Sequence, residues 1–141
     1  NGQLSVWPGA ARVKLDEIGL AAGAASSSGL EPAGGNRGKY HFPIQSETDW
    51  ATPIALRRVY LIRDGEGPPR FERLGGLEAT AALVEETYFL AYAAALGLTS
   101  QIFNLAAEMA RNVSVSTLVR PHGMAYLPAV LEMIEQDDGC S

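Results

Sequence analysis

The chain has 141 residues, of which 47% are hydrophobic and 19% are charged, with a formal net charge of −5. This length corresponds to one domain of ordinary size, and the apolar fraction excludes a disordered tail. The acidic balance argues against a nucleic-acid partner. One cysteine, Cys140, excludes a disulfide framework and a multi-cysteine zinc site, and two histidines leave little for a His-based metal site.

The sequence carries no sign of membrane insertion or export. No apolar run approaches the roughly 18 residues that a membrane-spanning helix requires, and no signal peptide opens the chain. These features predict a cytoplasmic protein with no membrane partner. The first residue is Asn1, within a strand-like pattern. We therefore expect residues 1–141 to form a single domain that is the C-terminal fragment of a larger one.

The first third of the chain reads as two short strands, a short helix and a loop. Alternating side chains predict strands over Gln3–Trp7 and Arg12–Leu15. Asp16 is placed to cap a short helix over Glu17–Ala22. Residues 23–38 are rich in glycine and serine, so we expect a flexible surface loop there.

The middle of the chain has the strongest strand pattern. Lys39–Ile44 resumes an alternating pattern, and Ile54–Arg63 carries apolar side chains on both faces, which predicts a strand covered on both sides. Arg70–Leu74 alternates again after a turn rich in glycine and proline. We interpret Val59–Leu74 as a β-hairpin with a long loop.

The last part changes to helical spacing. Helices are predicted over Leu77–Ala95, Gln101–Arg111 and Met124–Gln136, and a strand over Val115–Val119. The tail from Asp137 is expected to fray. The fold class predicted is α/β, with the six strands in one partly open, mixed sheet covered by the C-terminal helices.

No catalytic motif is complete. The segment Gly34–Tyr40 is the nearest match to a phosphate-binding P-loop, but its spacing is short and a tyrosine replaces the hydroxyl residue. A flexible loop with Lys39 at its rim is the favoured interpretation; a lysine that touches a phosphate held elsewhere in the protein is the alternative. A Gly-x-Ser-x-Gly elbow is absent. His122 is expected to be a solvated turn residue, and His41 a packed or edge residue.

The charged pairs have structural explanations too. Neighbouring carboxylates such as Glu85–Glu86 and Asp137–Asp138 do not face each other on a helix, so we expect solvated faces rather than an acid–base pair. Of Arg57 and Arg58, only one can point into a given pocket, because adjacent strand residues face opposite ways. A salt-bridged structural arginine is favoured over a phosphate clamp. No catalytic residue and no metal site is predicted.

Five blocks nevertheless resemble one protein family. Val6–Leu15 contains Pro-Gly-x-x-Arg-x-x-Leu, a segment typical of the C-terminal domain of HPr serine kinase/phosphorylase and its bacterial relatives. The later strands and helix starts are similar to that family's order of elements. These blocks are Gly38–Ile44, Leu56–Ile62, Phe71–Leu74 with Leu77–Ala79, and Val115–Arg120 with Leu127–Pro128.

The resemblance implies a P-loop fold like that of phosphoenolpyruvate carboxykinase. Such a protein binds ATP and magnesium and phosphorylates a hydroxyl of a protein or small molecule. The family's P-loop and its acidic residues precede the blocks seen here, so the resemblance implies a missing N-terminal half and a phosphate-acceptor substrate as partners. This chain alone is then expected to be inactive and to need no cofactor. Arg12, Lys14 and Lys39 are the candidate phosphate contacts.

Two other functions remain open. The absence of a self-contained site favours a non-catalytic domain that binds a peptide or protein partner. The alanine-rich face of Leu77–Ala95 would alternatively suit an oligomerisation module, so a homo-oligomer is possible. An uncovered apolar surface is expected at Val6, Trp7 and Tyr60.

Overall fold

The computed structural model describes residues 4–9, 11–34, 38–44 and 51–139, and within them the chain is a mixed α/β protein. The strands are β1 (Ser5–Val6), β2 (Arg12–Asp16), β3 (Lys39–Pro43), β4 (Ile54–Ala55), β5 (Arg58–Asp64), β6 (Arg70–Arg73) and β7 (Ser114–Arg120). The helices are α1 (Glu17–Ala22), α2 (Gly76–Glu85), α3 (Leu90–Ala95), α4 (Thr99–Asn112) and α5 (Leu127–Gly139), with a 3-10 turn at Met124–Tyr126. The proposed strand start at Gln3, residues 35–37 of the P-loop-like segment and Cys140 lie outside the described residues.

The strands form three small sheets, so the expectation of one six-stranded sheet is wrong. β1 pairs with β4, β2 pairs with β3, and the third sheet has the order β5–β7–β6. The chain divides into two compact units, one comprising Trp7–Ile54 and the other Asn1–Val6 with Ala55–Ser141. The predicted strand over Ile54–Arg63 is accordingly split into β4 and β5, with Leu56 and Arg57 between them.

The three-stranded sheet has β7 at its centre. β7 runs parallel to β5, with Arg58 opposite Ser114, and antiparallel to β6, with Phe71 opposite Leu118. The hairpin predicted over Val59–Leu74 is therefore wrong, because β7 lies between its two strands. β7 is rich in β-branched residues and carries a single charge, so the middle of a sheet buried on both faces suits it best.

The connection from β5 to β6 passes the end of β7 at close range. The Gly65 amide donates to the Arg120 carbonyl oxygen at 2.9 Å. A Cβ at Gly65 would collide with the side chain of Val119. A glycine is required there by space, since its neighbour is the side chain of a buried central strand.

The two faces of this sheet are covered differently. On one face Leu61, Ala79 and Val115 form a buried core. Residues of α2 and α4 and of the strand ends pack against it: Val59, Leu74, Ala82, Leu83 and Ala110. On the other face the rings of Tyr60 and Phe71 stack at 4.9 Å. Full cover on both sides belongs to β7 rather than to the predicted Ile54–Arg63, because Ile62 remains 56% exposed.

The helix predicted over Leu77–Ala95 is two helices. α2 ends at Glu85, and α3 begins at Leu90 after Phe89, whose φ of 62° is left-handed. The Thr87 hydroxyl donates to the Leu83 carbonyl oxygen at 3.2 Å. Threonine and aromatic residues are weaker helix formers than alanine, and a left-handed residue cannot continue a right-handed helix.

The unit Trp7–Ile54 is built on the β2–β3 ribbon. Asp16 caps α1 as expected, because its Oδ1 accepts from the Gly19 amide at 2.8 Å. Leu20 and Ala33 are buried, and Pro32 makes a bridge to Tyr40 beside β3. Of the side chains expected on an uncovered apolar surface, Trp7 is 68% exposed, and Val6 is also exposed, whereas Tyr60 is partly buried.

Candidate functional site

The β2–β3 ribbon brings the three candidate phosphate contacts to one face. The antiparallel register sets Lys14 opposite His41 and Asp16 opposite Lys39, with Arg12 at the other end opposite Pro43. Residues directly opposite each other share a face, and so do alternate residues of one strand. Arg12, Lys14 and Lys39 therefore project from the same side of the ribbon as His41.

The hydrogen-bond pattern shows how close these side chains come. The Ile44 amide donates to Ala11 across the ribbon, while the His41 amide donates to Glu31 on the outer edge, each at 2.9 Å. Hydrogen-bonded and non-hydrogen-bonded pairs alternate along an antiparallel ribbon. Because Ala11 and Ile44 form a hydrogen-bonded pair, Lys14 and His41, three pairs further along, form a non-hydrogen-bonded pair. In such pairs the Cβ atoms lie only about 4.5–5.5 Å apart.

This face, which we call the basic face (Arg12, Lys14, Lys39 and His41), is open to water and partly neutralised. Arg12 lies 3.9 Å from Glu31, and both side chains are more than half exposed. Asp16 faces Lys39, but one of its carboxylate oxygens accepts from the Gly19 amide, because Asp16 caps α1. Lys14 and Lys39 are the only lysines of the chain. The face can attract an anion, but only as a set of mobile, solvated cations.

His41 is the residue of this face that the sequence interpretation did not include. It is partly buried, as a packed histidine should be, but its Nδ1 is buried with no hydrogen-bond partner among the described residues. The strand alternation of Lys39 and His41 places both on one face. That signal was available in the sequence; the pairing with Lys14 was not.

The P-loop-like segment does not lead into a helix. Gly38 has a left-handed φ of 78°, and Lys39 is the first residue of β3. Its Gly35–Arg37 part lies outside the described residues. P-loop phosphates sit at a helix N-terminus that follows the glycines. The strand predicted from Lys39 is confirmed, and it occupies the place where a P-loop would have its helix.

A second cluster of charged residues joins β5 to the end of α5. Arg58 contacts Asp137 through Nε at 2.9 Å and Asp138 through Nη1 at 2.8 Å. The Tyr60 hydroxyl donates to Asp137 at 2.6 Å. Burial, then the hydrogen bond to Asp137 and its negative charge, raise the pKa of Tyr60 to about 12, against the opposing charge of Arg58.

This cluster confirms one expectation and corrects two. Arg58 is a salt-bridged structural arginine, with a side chain only 18% exposed. The acidic pair Asp137–Asp138 is not simply a solvated face, and α5 does not fray at Asp137 but continues to Gly139. Acidic residues at the C-terminal end of a helix oppose its dipole, so Arg58 supplies the positive charge that this helix end lacks.

The remaining candidates carry no site. His122 lies 3.8 Å from Asp64, and both side chains are largely exposed, as expected for a turn residue. Among the described residues, no three His, Cys, Asp or Glu side chains are grouped as metal ligands would be. In that same part of the chain, every helix is too short or too polar to cross a bilayer. No protein-family model, curated protein or solved structure matches this chain.

Proposed function

We propose that this chain is the C-terminal part of an ATP-dependent serine kinase similar to HPr kinase, and that its basic face contacts phosphate groups. The observation that carries the proposal is the β2–β3 register, which gathers Arg12, Lys14 and Lys39 on one side. ATP and magnesium are the cofactors of the proposed reaction, and a protein or small-molecule hydroxyl is the acceptor. The proposal also implies work in the cytoplasm, where ATP is available.

The basic face would act by charge neutralisation rather than by chemistry. Phosphoryl transfer depends mainly on positioning and on neutralising the charge of the phosphates. An exposed ion pair contributes about 0–1 kcal/mol, so three cations supply at most about 3 kcal/mol. Micromolar binding needs about 8 kcal/mol. The sequence has no Gly-x-x-x-x-Gly-Lys-Ser/Thr motif, and the proposal therefore assigns most of the nucleotide binding to a segment outside it.

A titration with inorganic pyrophosphate tests the basic face directly. We expect backbone amide shifts in NMR spectra that are confined to β2 and β3 and that fade as salt is added. The double variant Lys14→Gln/Lys39→Gln should abolish them, whereas Arg57→Gln, which removes an exposed arginine from the other unit, should not. Shifts that persist in the double variant, or that lie elsewhere, would refute the assignment.

A titration with ATP and magnesium tests whether this chain alone binds the nucleotide only weakly. Calorimetry on this chain should show binding weaker than micromolar, or none. Micromolar affinity that disappears in Lys39→Ala would contradict the proposal and make the Gly34–Lys39 segment a divergent phosphate site. If neither ligand binds at all, a non-catalytic domain that binds a protein or peptide becomes the better function.

A further inference from the structure

An aromatic surface lies exposed around α3. Tyr88, Phe89, Tyr92 and Leu96, which we call the α3 surface, are 83%, 60%, 69% and 74% exposed. The ring centroids of Tyr88 and Phe89 lie 4.1 Å apart, and those of Phe89 and Tyr92 lie 5.4 Å apart, both edge to face. The three rings are thus one contiguous patch rather than scattered side chains, and a patch of this kind marks an interaction site.

The backbone at Phe89, within this patch, is in an energetically unfavourable conformation. Phe89 adopts the left-handed conformation, with φ of 62° and ψ of 31°, which is unusual for a bulky residue. The Phe89 ring contacts Tyr88 on one side and Tyr92 of α3 on the other. Phe89 is 60% exposed, so this conformation presents its ring to solvent within the patch, and a strained backbone at a surface suggests a role for that surface.

The surface is also free of charge. Residues 87–107 contain no Asp, Glu, Lys, Arg or His, although the whole chain carries a net charge of −5. An uncharged patch offers nothing to a strongly charged partner. It is, however, a place where two copies of an acidic chain can meet without like charges facing each other.

The area fits a small interface. An aromatic side chain covers about 150–250 Å², so the exposed parts of the three rings amount to roughly 400 Å². Leu96 and the exposed Ala91, Ala94 and Ala95 of α3 extend the patch, and alanines permit close approach of a second helix. Weak specific interfaces bury less than about 1,200 Å² in total, or about 600 Å² per partner.

We propose that the α3 surface binds a second copy of this chain, forming a weak dimer with two-fold symmetry. In such a dimer the same patch is used by both copies, so Tyr92 near its centre faces the partner's α3. The proposal does not depend on the kinase function, because none of these residues belongs to the basic face.

Sedimentation analysis over a range of concentrations tests the proposal. The chain should pass from monomer to dimer as its concentration rises, and Tyr92→Glu should weaken dimerisation by more than about tenfold. Ile18→Glu is the matched control, because Ile18 is 75% exposed but lies on α1 in the other unit. A chain that stays monomeric, or a dimer that Tyr92→Glu leaves intact, would overturn the proposal.

A second variant guards against misfolding of the first. Leu96→Lys adds the opposite charge at the other end of the patch and should weaken the dimer similarly, while its circular dichroism spectrum stays that of the parent chain. If the parent chain is instead monomeric and binds vesicles of neutral lipid through Tyr92, the patch is a membrane contact and the dimer proposal fails.

Discussion

The sheet β5–β7–β6 and the ribbon β2–β3 are built from strands of different character, and they treat their side chains differently. In the sheet, both faces of the central strand are buried, and Arg58 at the edge is paired with two carboxylates of α5. In the ribbon, four of the five residues of β2 are exposed, including Arg12 and Lys14 of the basic face. Strands with apolar side chains on both faces form a core where α2 and α4 cover them. The alternating strands of the ribbon instead display charge to solvent.

The largest expected effect separates the two regions by burial. Leu118 of β7 is 1% exposed, so Leu118→Ala should lower the free energy of unfolding by about 2–5 kcal/mol through lost contacts and a cavity. Val13→Ala in the ribbon removes a side chain that is 37% exposed and should cost under about 1 kcal/mol. Urea denaturation measures both; equal costs would contradict the contrast between the regions.

A smaller effect separates them by charge pairing. Arg58→Met should lower the free energy of unfolding by about 1–2 kcal/mol, because it leaves Asp137 and Asp138 unneutralised at the end of α5. The loss of unfolding free energy is small because the two carboxylates are 40% and 65% exposed, so water screens their charges. Lys14→Met on the ribbon should change stability by less than about 0.5 kcal/mol. Thermal unfolding compares the two variants, and a neutral Arg58→Met would show that the ion pairs add nothing.

A third effect is a pH dependence confined to the sheet region. An unfolded tyrosine has a pKa of about 10, and Tyr60 in the folded chain has a pKa of about 12. Its folded form holds the proton more tightly, so this stability is fully present below about pH 10 and is lost as the pH rises through about 12. The difference in unfolding free energy between the parent chain and Tyr60→Phe should therefore shrink over that interval. A difference that stays constant would contradict a raised pKa of Tyr60 in the folded chain.

Local patterns were sufficient for much of the fold. Charge alternation in Arg12–Leu15 and Lys39–Ile44, the cap at Asp16 and the apolar spacing in Gln101–Arg111 each depend on neighbours in sequence, and β2, β3, α1 and α4 appear close to the predicted bounds. The segment Val59–Ile62 lies within β5, as predicted. Such features require only the period of the chain and its turn residues.

The errors arise where distant residues decide. Two strands joined by a turn predict a hairpin over Val59–Leu74. The hairpin does not form because β7, which follows much later in the sequence, lies between the two strands. The end of α5 stays helical because Arg58, far away in sequence, contacts it. Part of the basic face could be predicted from the sequence, because Arg12 and Lys14 are alternate residues of one strand. Their proximity to Lys39 could not, because it depends on the register between β2 and β3.

The central position of β7 also determines when the sheet can form during synthesis. β5 and β6 emerge from the ribosome before α2, α3 and α4, and β7 follows all of these. Until residues 114–120 are made, the edges of β5 and β6 that pair with β7 remain unpaired. Unpaired strand edges can pair with other chains and so promote aggregation. Parallel pairing of β5 with so distant a strand also makes a large contribution to contact order, which slows folding. The nascent chain is therefore most prone to aggregation in the interval between the synthesis of β6 and that of β7.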